Sequence, residues 1–184
     1  MRHFVAMNND RHIVNLALIG FMGTGKTSVG RLAAEFLNFE FLDTDDLIQT
    51  RTNRTVADIF AREGEPVFRA LERQLVEELA GRTGVLIATG GGLPMDANNL
   101  ASLKRHALVI CLWASPDKIW ERVCHQNHRP LLNDPDPRGK IISLLAAREP
   151  AYKQADILVN TDLRTLREVA QQVAHQYRLA RPGG

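Results

Sequence analysis

The sequence predicts an α/β fold in which helices cover both faces of a five-stranded parallel β-sheet, and two observations support this prediction. Short apolar runs alternate along the chain with amphipathic stretches, as in consecutive strand–helix–strand units. Three of these runs are apolar throughout, which is typical of strands buried on both faces of a parallel sheet. The five predicted strands span residues 14–19, 39–42, 85–88, 107–112 and 157–159.

The helices between the strands are predicted from the spacing of their apolar side chains. The helix after the first strand carries such side chains at intervals of three and four residues, namely Val29, Leu32, Ala33, Phe36 and Leu37. The last helix has the same periodicity over residues 166–177. A capping box, formed by Thr165 and Glu168, precedes it and marks its start.

Two segments interrupt this alternation of strands and helices. In residues 44–80 the pattern predicts two consecutive helices, at 55–62 and 66–80, with no strand between them. Residues 125–137 are rich in Pro, Asn and Asp and predict an exposed loop. We interpret the first segment as a substrate-binding region and the second as a lid, because long loops in compact domains are more often functional. The alternative is that both are surface connections.

Length and composition restrict the possible classes of protein. The 184 residues suffice for one domain with a full core, which we expect over residues 13–180, with an extension at 1–12 and a tail at 181–184. The 23 basic and 21 acidic residues nearly cancel, so charge indicates neither a nucleic-acid nor a membrane partner. No apolar run reaches the length of a membrane span, and two cysteines cannot form a disulfide framework. We therefore expect a cytoplasmic protein, and for so short a chain a monomer is the default expectation.

Residues 20–27, GFMGTGKT, match the phosphate-binding loop pattern G-x-x-x-x-G-K-[ST]. An apolar strand enters the loop and an amphipathic helix leaves it, so backbone N–H groups and the helix dipole can face phosphate oxygens. We expect Lys26 to contact the β- and γ-phosphates of a nucleotide and the Thr27 hydroxyl to coordinate Mg²⁺. The predicted nucleotide-binding residues of the loop are Gly23, Thr24, Gly25, Lys26, Thr27 and Ser28.

The phosphate-binding loop does not by itself identify the reaction. GTPases, motor ATPases and small-molecule kinases all use it. No N-K-x-D motif for guanine recognition is present, and the chain is short for a motor. A small-molecule kinase is therefore the favoured class.

Two carboxylates follow the second predicted strand. Asp43 and Asp45 lie at the carboxyl edge of the sheet, where open α/β folds bind ligands. One of them could join the shell of the metal through water while the other faces an acceptor hydroxyl. Taken alone, the pair could equally be a turn with a helix N-cap.

Further candidate residues surround the same edge of the predicted sheet. Three consecutive glycines at 90–92 follow the third strand and give backbone donors close access to a ligand. Arg69 lies three residues before Glu72 on a predicted helix, and Arg129 lies in the polar loop. Arg148 is expected to end a helix just before a proline. Each arginine alone is typical of a surface charge, but together they surround the predicted phosphate site.

These motifs together resemble those of the shikimate kinase family. The matching stretches are GFMGTGKTSVGRLAA, FLDTDDLI, TVADIFAREGEPVFRALE, TGGGLP, RPLL and AAREPAYKQAD, in the order and spacing of the family over residues 14–160. The resemblance implies the three-layer P-loop fold of nucleoside monophosphate kinases, with a substrate-binding helical region at about 44–80 and a lid at about 124–137. It also implies ATP-dependent phosphorylation of the 3-hydroxyl of shikimate, on the pathway to chorismate and aromatic amino acids.

The resemblance also implies roles for individual residues. Shikimate would be bound by Asp45, Arg69, Gly90, Gly91, Gly92 and Arg148, with the arginines on its carboxylate. The resemblance assigns ATP contacts to Arg122, which packs against adenine, and to Arg129, which reaches the phosphates from the lid. Mg²⁺ would be held by Thr27 and, through water, by Asp43. The implied catalytic residues are Lys26, Asp45 and Arg129.

Two alternatives remain open. Another small-molecule kinase of the same fold, such as one that acts on gluconate, would also bind a carboxylate. A non-catalytic relative that binds ligand is the second alternative, although we would expect it to lack Lys26 or Asp45, and both are present.

Overall fold

A computed structural model describes residues 11–125 and 134–181, and a five-stranded parallel sheet runs through this part of the chain. The strand order is β2-β3-β1-β4-β5, and every neighbouring pair is parallel. The prediction of a five-stranded parallel sheet is therefore confirmed, with strand ends that differ by at most one residue. The strands are β1 Asn15–Ile19, β2 Glu40–Asp43, β3 Val85–Ala88, β4 Ala107–Trp113 and β5 Ile157–Asn160.

Helices connect the strands, and the structure contains more helices than the sequence patterns indicate. They are α1 Lys26–Leu37, α2 Thr44–Thr52, α3 Val56–Glu63, α4 Glu65–Leu79, α5 Ala97–His106, α6 Pro116–Val123, α7 Pro137–Tyr152 and α8 Leu166–Ala180, with a 3₁₀ turn at Leu93–Met95. Capping boxes begin α3 at Thr55 and α8 at Thr165. Among the described residues, no helix is long and apolar enough to cross a membrane.

The core consists of two apolar clusters, one on each face of the sheet. On one face α1 and α8 pack against the strands through side chains such as Val29 and Val173. On the other face α4, α5 and α7 contribute Leu75, Leu103 and Leu145. Helices therefore cover both faces, as the sequence predicts.

The prediction that a helix ends at Arg148 is wrong, because α7 continues through Pro150 and ends at Tyr152. Proline lacks the N–H that would bond to the carbonyl of Ala146, so the helix loses one hydrogen bond at this point. The contacts that Tyr152 makes with the rest of the fold outweigh the loss of this hydrogen bond. Tyr152 is fully buried, and its hydroxyl donates to the Gly91 carbonyl.

Arg11 lies in the predicted extension over residues 1–12, and its side chain contacts the domain. Arg11 donates to both carboxylate oxygens of Asp156, at 2.7 and 3.1 Å. The same carboxylate accepts from the backbone N–H of Val109 and lies 3.3 Å from the Lys104 ammonium. Burial by itself would raise the pKa of Asp156, but these hydrogen bonds and charges hold it below its ordinary value. The cluster joins the start of β5 to the start of β4 and the end of α5.

We predict that Asp156→Asn lowers the free energy of unfolding by about 1.5–3 kcal/mol at pH 7, the range for hydrogen bonds to a charged group. The carboxylate is 8% exposed, so solvent screens it little. Because its folded pKa lies below the unfolded value of 3.8, its contribution is complete above that value and is lost as the pH falls through the folded pKa. Urea titrations of both proteins between pH 7 and pH 3 should show the difference shrinking.

The matched control is Asp117→Asn, since Asp117 also pairs with an arginine, Arg138, but is 81% exposed. Its effect should stay within about 0.5 kcal/mol. Equal losses for the two variants would contradict the stabilising role of Asp156.

Candidate active site

The phosphate-binding loop connects β1 to α1. Gly23 and Gly25 have φ angles of 74° and 94°, in the left-handed region that favours glycine. Gly25 is the N-cap of α1 and supplies no side-chain cap, so the first N–H groups of the helix remain available to an anion. Thr24 is buried, and its hydroxyl donates to the Phe21 carbonyl at 2.8 Å, so this side chain shapes the loop from within.

Lys26 begins α1 and turns its ammonium back over the loop. Its Nζ donates to the carbonyls of Gly20 and Phe21, at 2.9 Å each. The charge of this lysine is therefore held at the concave side of the loop. A phosphate there would compete with two backbone carbonyls for the ammonium.

Thr27 and Asp43 meet across the gap between α1 and β2. The Thr27 hydroxyl donates to Asp43 Oδ2 at 2.9 Å, and Oδ1 accepts from the backbone N–H of Asp45 at 3.1 Å. Asp43 is therefore the N-cap of α2, so the helix-cap interpretation of the carboxylate pair holds for Asp43 and not for Asp45. Hydroxyl and carboxylate oxygens are the donors that Mg²⁺ prefers, so this pair fits a magnesium site.

Asp45 lies in the first turn of α2 with its carboxylate turned inward. Its Oδ1 is buried and has no hydrogen-bond partner among the described residues. Burial, and next the charge of Asp43, raises the pKa of Asp45 to about 6, while Lys26 and Arg69 act in the opposite direction. A buried polar atom without a partner costs stability and is found where a ligand completes the hydrogen bonding.

Arg69 on α4 lies between two glutamates of its own helix. Its Nη1 donates to Glu72 Oε2 at 2.6 Å, and its Nε and Nη2 donate to Glu65 Oε1 at 3.0 and 2.7 Å. Glu72 is fully buried, and its Oε1 has no partner among the described residues. Burial raises the pKa of Glu72 to about 7, which the hydrogen bond and charge of Arg69 only partly offset.

The glycines after β3 bring α2 and α4 together. The N–H of Gly90 donates to the Thr44 hydroxyl at 2.9 Å. A Cβ on Gly90 would lie 2.6 Å from Asp45 Oδ1 and 3.3 Å from Glu72 Oε1, so any larger residue there would have to displace the Asp45 carboxylate. A Cβ on Gly92 would likewise lie 2.6 Å from Arg69 Nη2.

Arg148 and Tyr152, both on α7, reach the middle glycine from the other side. Tyr152 donates its hydroxyl to the Gly91 carbonyl at 2.7 Å, and Arg148 Nη1 lies 3.5 Å from the same oxygen. The Arg148 guanidinium also lies 5.5 Å above the ring of Phe21 in the phosphate-binding loop. Arg148 therefore touches both loops of the site.

Arg122 on α6 borders the opposite end of the phosphate-binding loop. Its Nη1 donates to the Gly23 carbonyl at 3.1 Å and to the Thr161 hydroxyl at 2.9 Å, and its Nη2 donates to the Thr161 carbonyl at 2.6 Å. The guanidinium thus joins the loop to the segment that follows β5. Arg129 and most of the predicted lid lie outside the described residues.

A cleft of about 360 Å³ opens over the phosphate-binding loop. It is lined by Met22, Gly23, Gly25, Lys26, Thr27, Ser28, Asp43, Asp45, Thr89, Gly90, Gly91 and Arg122. Most residues that the sequence indicates therefore share one cleft. Thr24, Arg69, Gly92 and Arg148 do not line it, although Thr24 belongs to the phosphate-binding loop and Arg69 and Arg148 lie close to Gly92 and Gly91.

Sequence reasoning missed four side chains at this site. Glu65 could have been found, because it lies four residues before Arg69 on one helix face. Thr44 stands between the two aspartates, but no spacing rule shows that it would accept a hydrogen bond from Gly90. Phe21 and Tyr152 act through contacts between segments that are distant in sequence, and no local signal identifies them.

Comparisons with known proteins agree on one family. The family model described as shikimate kinase matches residues 22–178. The chain is 40% identical over 163 residues to a shikimate kinase from Thermodesulfovibrio yellowstonii, covering 89% of this chain and 94% of the relative. It is 45% identical over 163 residues to a shikimate kinase from Symbiobacterium thermophilum, covering 87% and 94%.

Solved structures of other proteins resemble this fold over more than nine-tenths of the chain. The shikimate kinase from Acinetobacter baumannii in complex with shikimate superposes with a TM-score of 0.86 at 36% identity, covering 94% of this chain and 96% of that one. A gluconokinase from Sinorhizobium meliloti superposes with a TM-score of 0.60 at 18% identity, covering 92% and 95%. At that identity the second likeness extends to the fold alone.

We predict that Thr44→Val lowers the free energy of unfolding by about 1–3 kcal/mol, because it leaves the buried N–H of Gly90 without an acceptor. Valine has nearly the same shape as threonine, so the lost hydrogen bond is the main change. Urea denaturation measures the difference.

Thr50→Val on the same helix is the control, since the exposed Thr50 hydroxyl only donates to the Asp46 carbonyl one turn earlier. We expect that change to stay within about 0.5 kcal/mol. If the two valine variants were equally stable, Thr44 would not hold the glycine segment.

Proposed function

The chain belongs to the shikimate kinase family, and on this premise we propose that it transfers the γ-phosphoryl group of ATP to the 3-hydroxyl of shikimate, giving shikimate 3-phosphate and ADP. The observation that carries the proposal is the position of Asp45. Its carboxylate lines the cleft of the phosphate-binding loop and keeps one buried oxygen without a partner among the described residues. An acceptor hydroxyl in the cleft would supply that partner.

Asp45 is the proposed general base. In the transfer, the 3-hydroxyl oxygen of shikimate bonds to the γ-phosphorus while the bond from that phosphorus to the β–γ bridging oxygen breaks. ADP leaves with the bond's electron pair, and the hydroxyl proton goes to Asp45. Because the transition state of phosphoryl transfer is loose, the position of the hydroxyl matters at least as much as removal of its proton.

The carboxylate of shikimate is the proposed ligand of Arg69 and Arg148, with the backbone of Gly90, Gly91 and Gly92. A guanidinium presents two parallel donors to a carboxylate and fixes its orientation. Glu65 now occupies the Nε and Nη2 edge of Arg69. A substrate carboxylate that binds on this edge must displace Glu65, whose side chain is mostly exposed.

The nucleotide phosphates are the proposed ligands of the loop between β1 and α1. The ammonium of Lys26 would exchange its two loop carbonyls for phosphate oxygens and offset charge on the transferred group. Backbone N–H groups of the loop and the start of α1 at Ser28 would contribute donors. The N–H of Thr24, which donates to the Phe21 carbonyl at 3.4 Å, would exchange that carbonyl for a phosphate oxygen. For the nucleotide we further propose contacts from Arg122 and from Arg129.

Mg²⁺ is the proposed cofactor, and Thr27 and Asp43 are the residues that would hold it, Asp43 through water. Their oxygens lie 2.9 Å apart at the cleft, and both are donors that suit this ion. When bound, Mg²⁺ would offset negative charge on the phosphates. The hydrogen bond between Thr27 and Asp43 keeps the two donors together before the ion arrives.

A coupled assay that follows ADP release in the presence of ATP and Mg²⁺ tests the proposed reaction, with shikimate and gluconate compared in parallel. We expect ADP release that depends on shikimate and is near background with gluconate. Lys26→Ala, purified in the same way, controls for contaminating kinases. Turnover of gluconate that exceeds turnover of shikimate would overturn the proposal.

We predict that Asp45→Asn lowers kcat by roughly 10²–10⁴-fold, the usual contribution of a general base. Asparagine keeps the shape of the side chain and one acceptor oxygen but cannot take the proton. The KM for ATP should change little, because Asp45 is assigned to the acceptor. Steady-state kinetics and thermal unfolding measure activity and stability separately.

The adjacent exposed carboxylate of Asp46 provides the control, and Asp46→Asn should keep nearly full activity. A folded Asp45→Asn enzyme with unchanged kcat would exclude the role of Asp45 as general base.

A further inference from the structure

Tyr152 makes a contact that the proposed reaction does not use. Its side chain is 0% exposed, at the end of α7, and its hydroxyl donates to the Gly91 carbonyl at 2.7 Å. Burial raises the pKa of Tyr152 to about 12, although the charge of Arg148 and the hydrogen bond from its guanidinium to this hydroxyl partly offset this effect. The hydroxyl therefore remains a proton donor at every physiological pH.

The local sequence disfavours the helical turn that contains Tyr152. Pro150 removes a hydrogen bond from the last turns of α7, and the residue before a proline disfavours the helical conformation. The helix nevertheless continues for two residues past the proline and places the Tyr152 ring in the core. The contact with Gly91 is one of the interactions that this turn makes possible.

The carbonyl that Tyr152 holds belongs to the peptide unit between Gly91 and Gly92. A peptide unit is planar, and its trans N–H points away from its C=O, so holding the Gly91 oxygen also fixes the direction of the Gly92 N–H. Within residues 11–125 and 134–181, the N–H groups of Gly91 and Gly92 have no hydrogen-bond acceptor. They are available to a ligand.

The same peptide unit lies between the two halves of the site. A Cβ on Gly92 would lie 2.6 Å from Arg69 Nη2, and one on Gly91 would lie 3.6 Å from the Gly20 carbonyl of the phosphate-binding loop. Glycine has the widest backbone freedom of any residue, so three in a row need an external contact to keep one orientation. Arg148, at 3.5 Å from the Gly91 oxygen, is too distant to hold it as firmly as Tyr152 does.

We propose that Tyr152 is a positioning residue for the acceptor substrate. Its hydroxyl holds the Gly91–Gly92 peptide so that the Gly92 N–H stays beside the Arg69 guanidinium, where it binds the carboxylate of the acceptor. This inference rests on the proposed function for the identity of that acceptor. Tyr152 itself touches neither substrate.

The test compares Tyr152→Phe with Tyr177→Phe, the same chemical change at the other tyrosine of the chain. Tyr177 belongs to the core cluster on the opposite face of the sheet, where its ring packs edge-on against Phe39 at 5.1 Å. We expect Tyr152→Phe to raise the KM for shikimate about tenfold, equivalent to about 1.4 kcal/mol, with the KM for ATP unchanged. Tyr177→Phe should change neither constant.

If Tyr152 had only a structural role, Tyr152→Phe would have a lower melting temperature and a smaller active fraction, but the KM values for shikimate and ATP would not change differently. An unchanged KM for shikimate in folded Tyr152→Phe, or an equal rise in both KM values, would therefore overturn the inference.

A second measurement tests the positioning role of Tyr152 in the absence of substrate. NMR order parameters of the Gly91 and Gly92 N–H groups in the ligand-free protein should fall in Tyr152→Phe and stay unchanged in Tyr177→Phe. Equal order parameters in wild type and Tyr152→Phe would overturn the positioning role. Failure of the wild-type protein to phosphorylate shikimate would instead refute the proposed function, while the order parameters would still decide the role of Tyr152.

Discussion

The parallel pairing of β1, β2 and β3 is the constraint on which the rest of the site depends. β3 lies between the other two strands, and Ala88 at its end is in register with Leu18 of β1 and Asp43 of β2. All three strands therefore end at one edge of the sheet. The phosphate-binding loop follows β1, the glycine segment follows β3, and the two aspartates lie at the end of β2 and just beyond it. A single backbone arrangement therefore brings the three motifs together.

The site that results buries two carboxylates whose hydrogen bonding the described residues leave incomplete. Asp45 and Glu72 each keep one carboxylate oxygen without a partner among the described residues, and burial raises the pKa of both. Leaving such groups unpaired costs stability, which a fold tolerates where a ligand will complete the contacts. Arg69 and Lys26 compensate part of this charge, and both are held in place by acceptors that a substrate would have to replace.

Two arginines connect segments of the cleft that follow different strands. Arg148 lies over Phe21 of the phosphate-binding loop and near the Gly91 carbonyl, and Arg122 ties Gly23 to the segment after β5. These segments are therefore joined by side-chain contacts as well as by the pairing of their strands.

The sequence by itself determined the features that depend on local periodicity and short motifs. Apolar runs identified all five strands, a capping box identified the start of α8, and the spacing of G-x-x-x-x-G-K-T identified the loop that lines the cleft. Only the tertiary structure decided the contacts between distant segments. Pro150 predicted a helix end that the burial of Tyr152 overrides, and Thr44, Gly91 and Asp156 acquire their partners from residues 46, 61 and 145 positions away. Periodicity reports the faces that an element buries, whereas a hydrogen bond across the fold depends on where the packed elements finally place each atom.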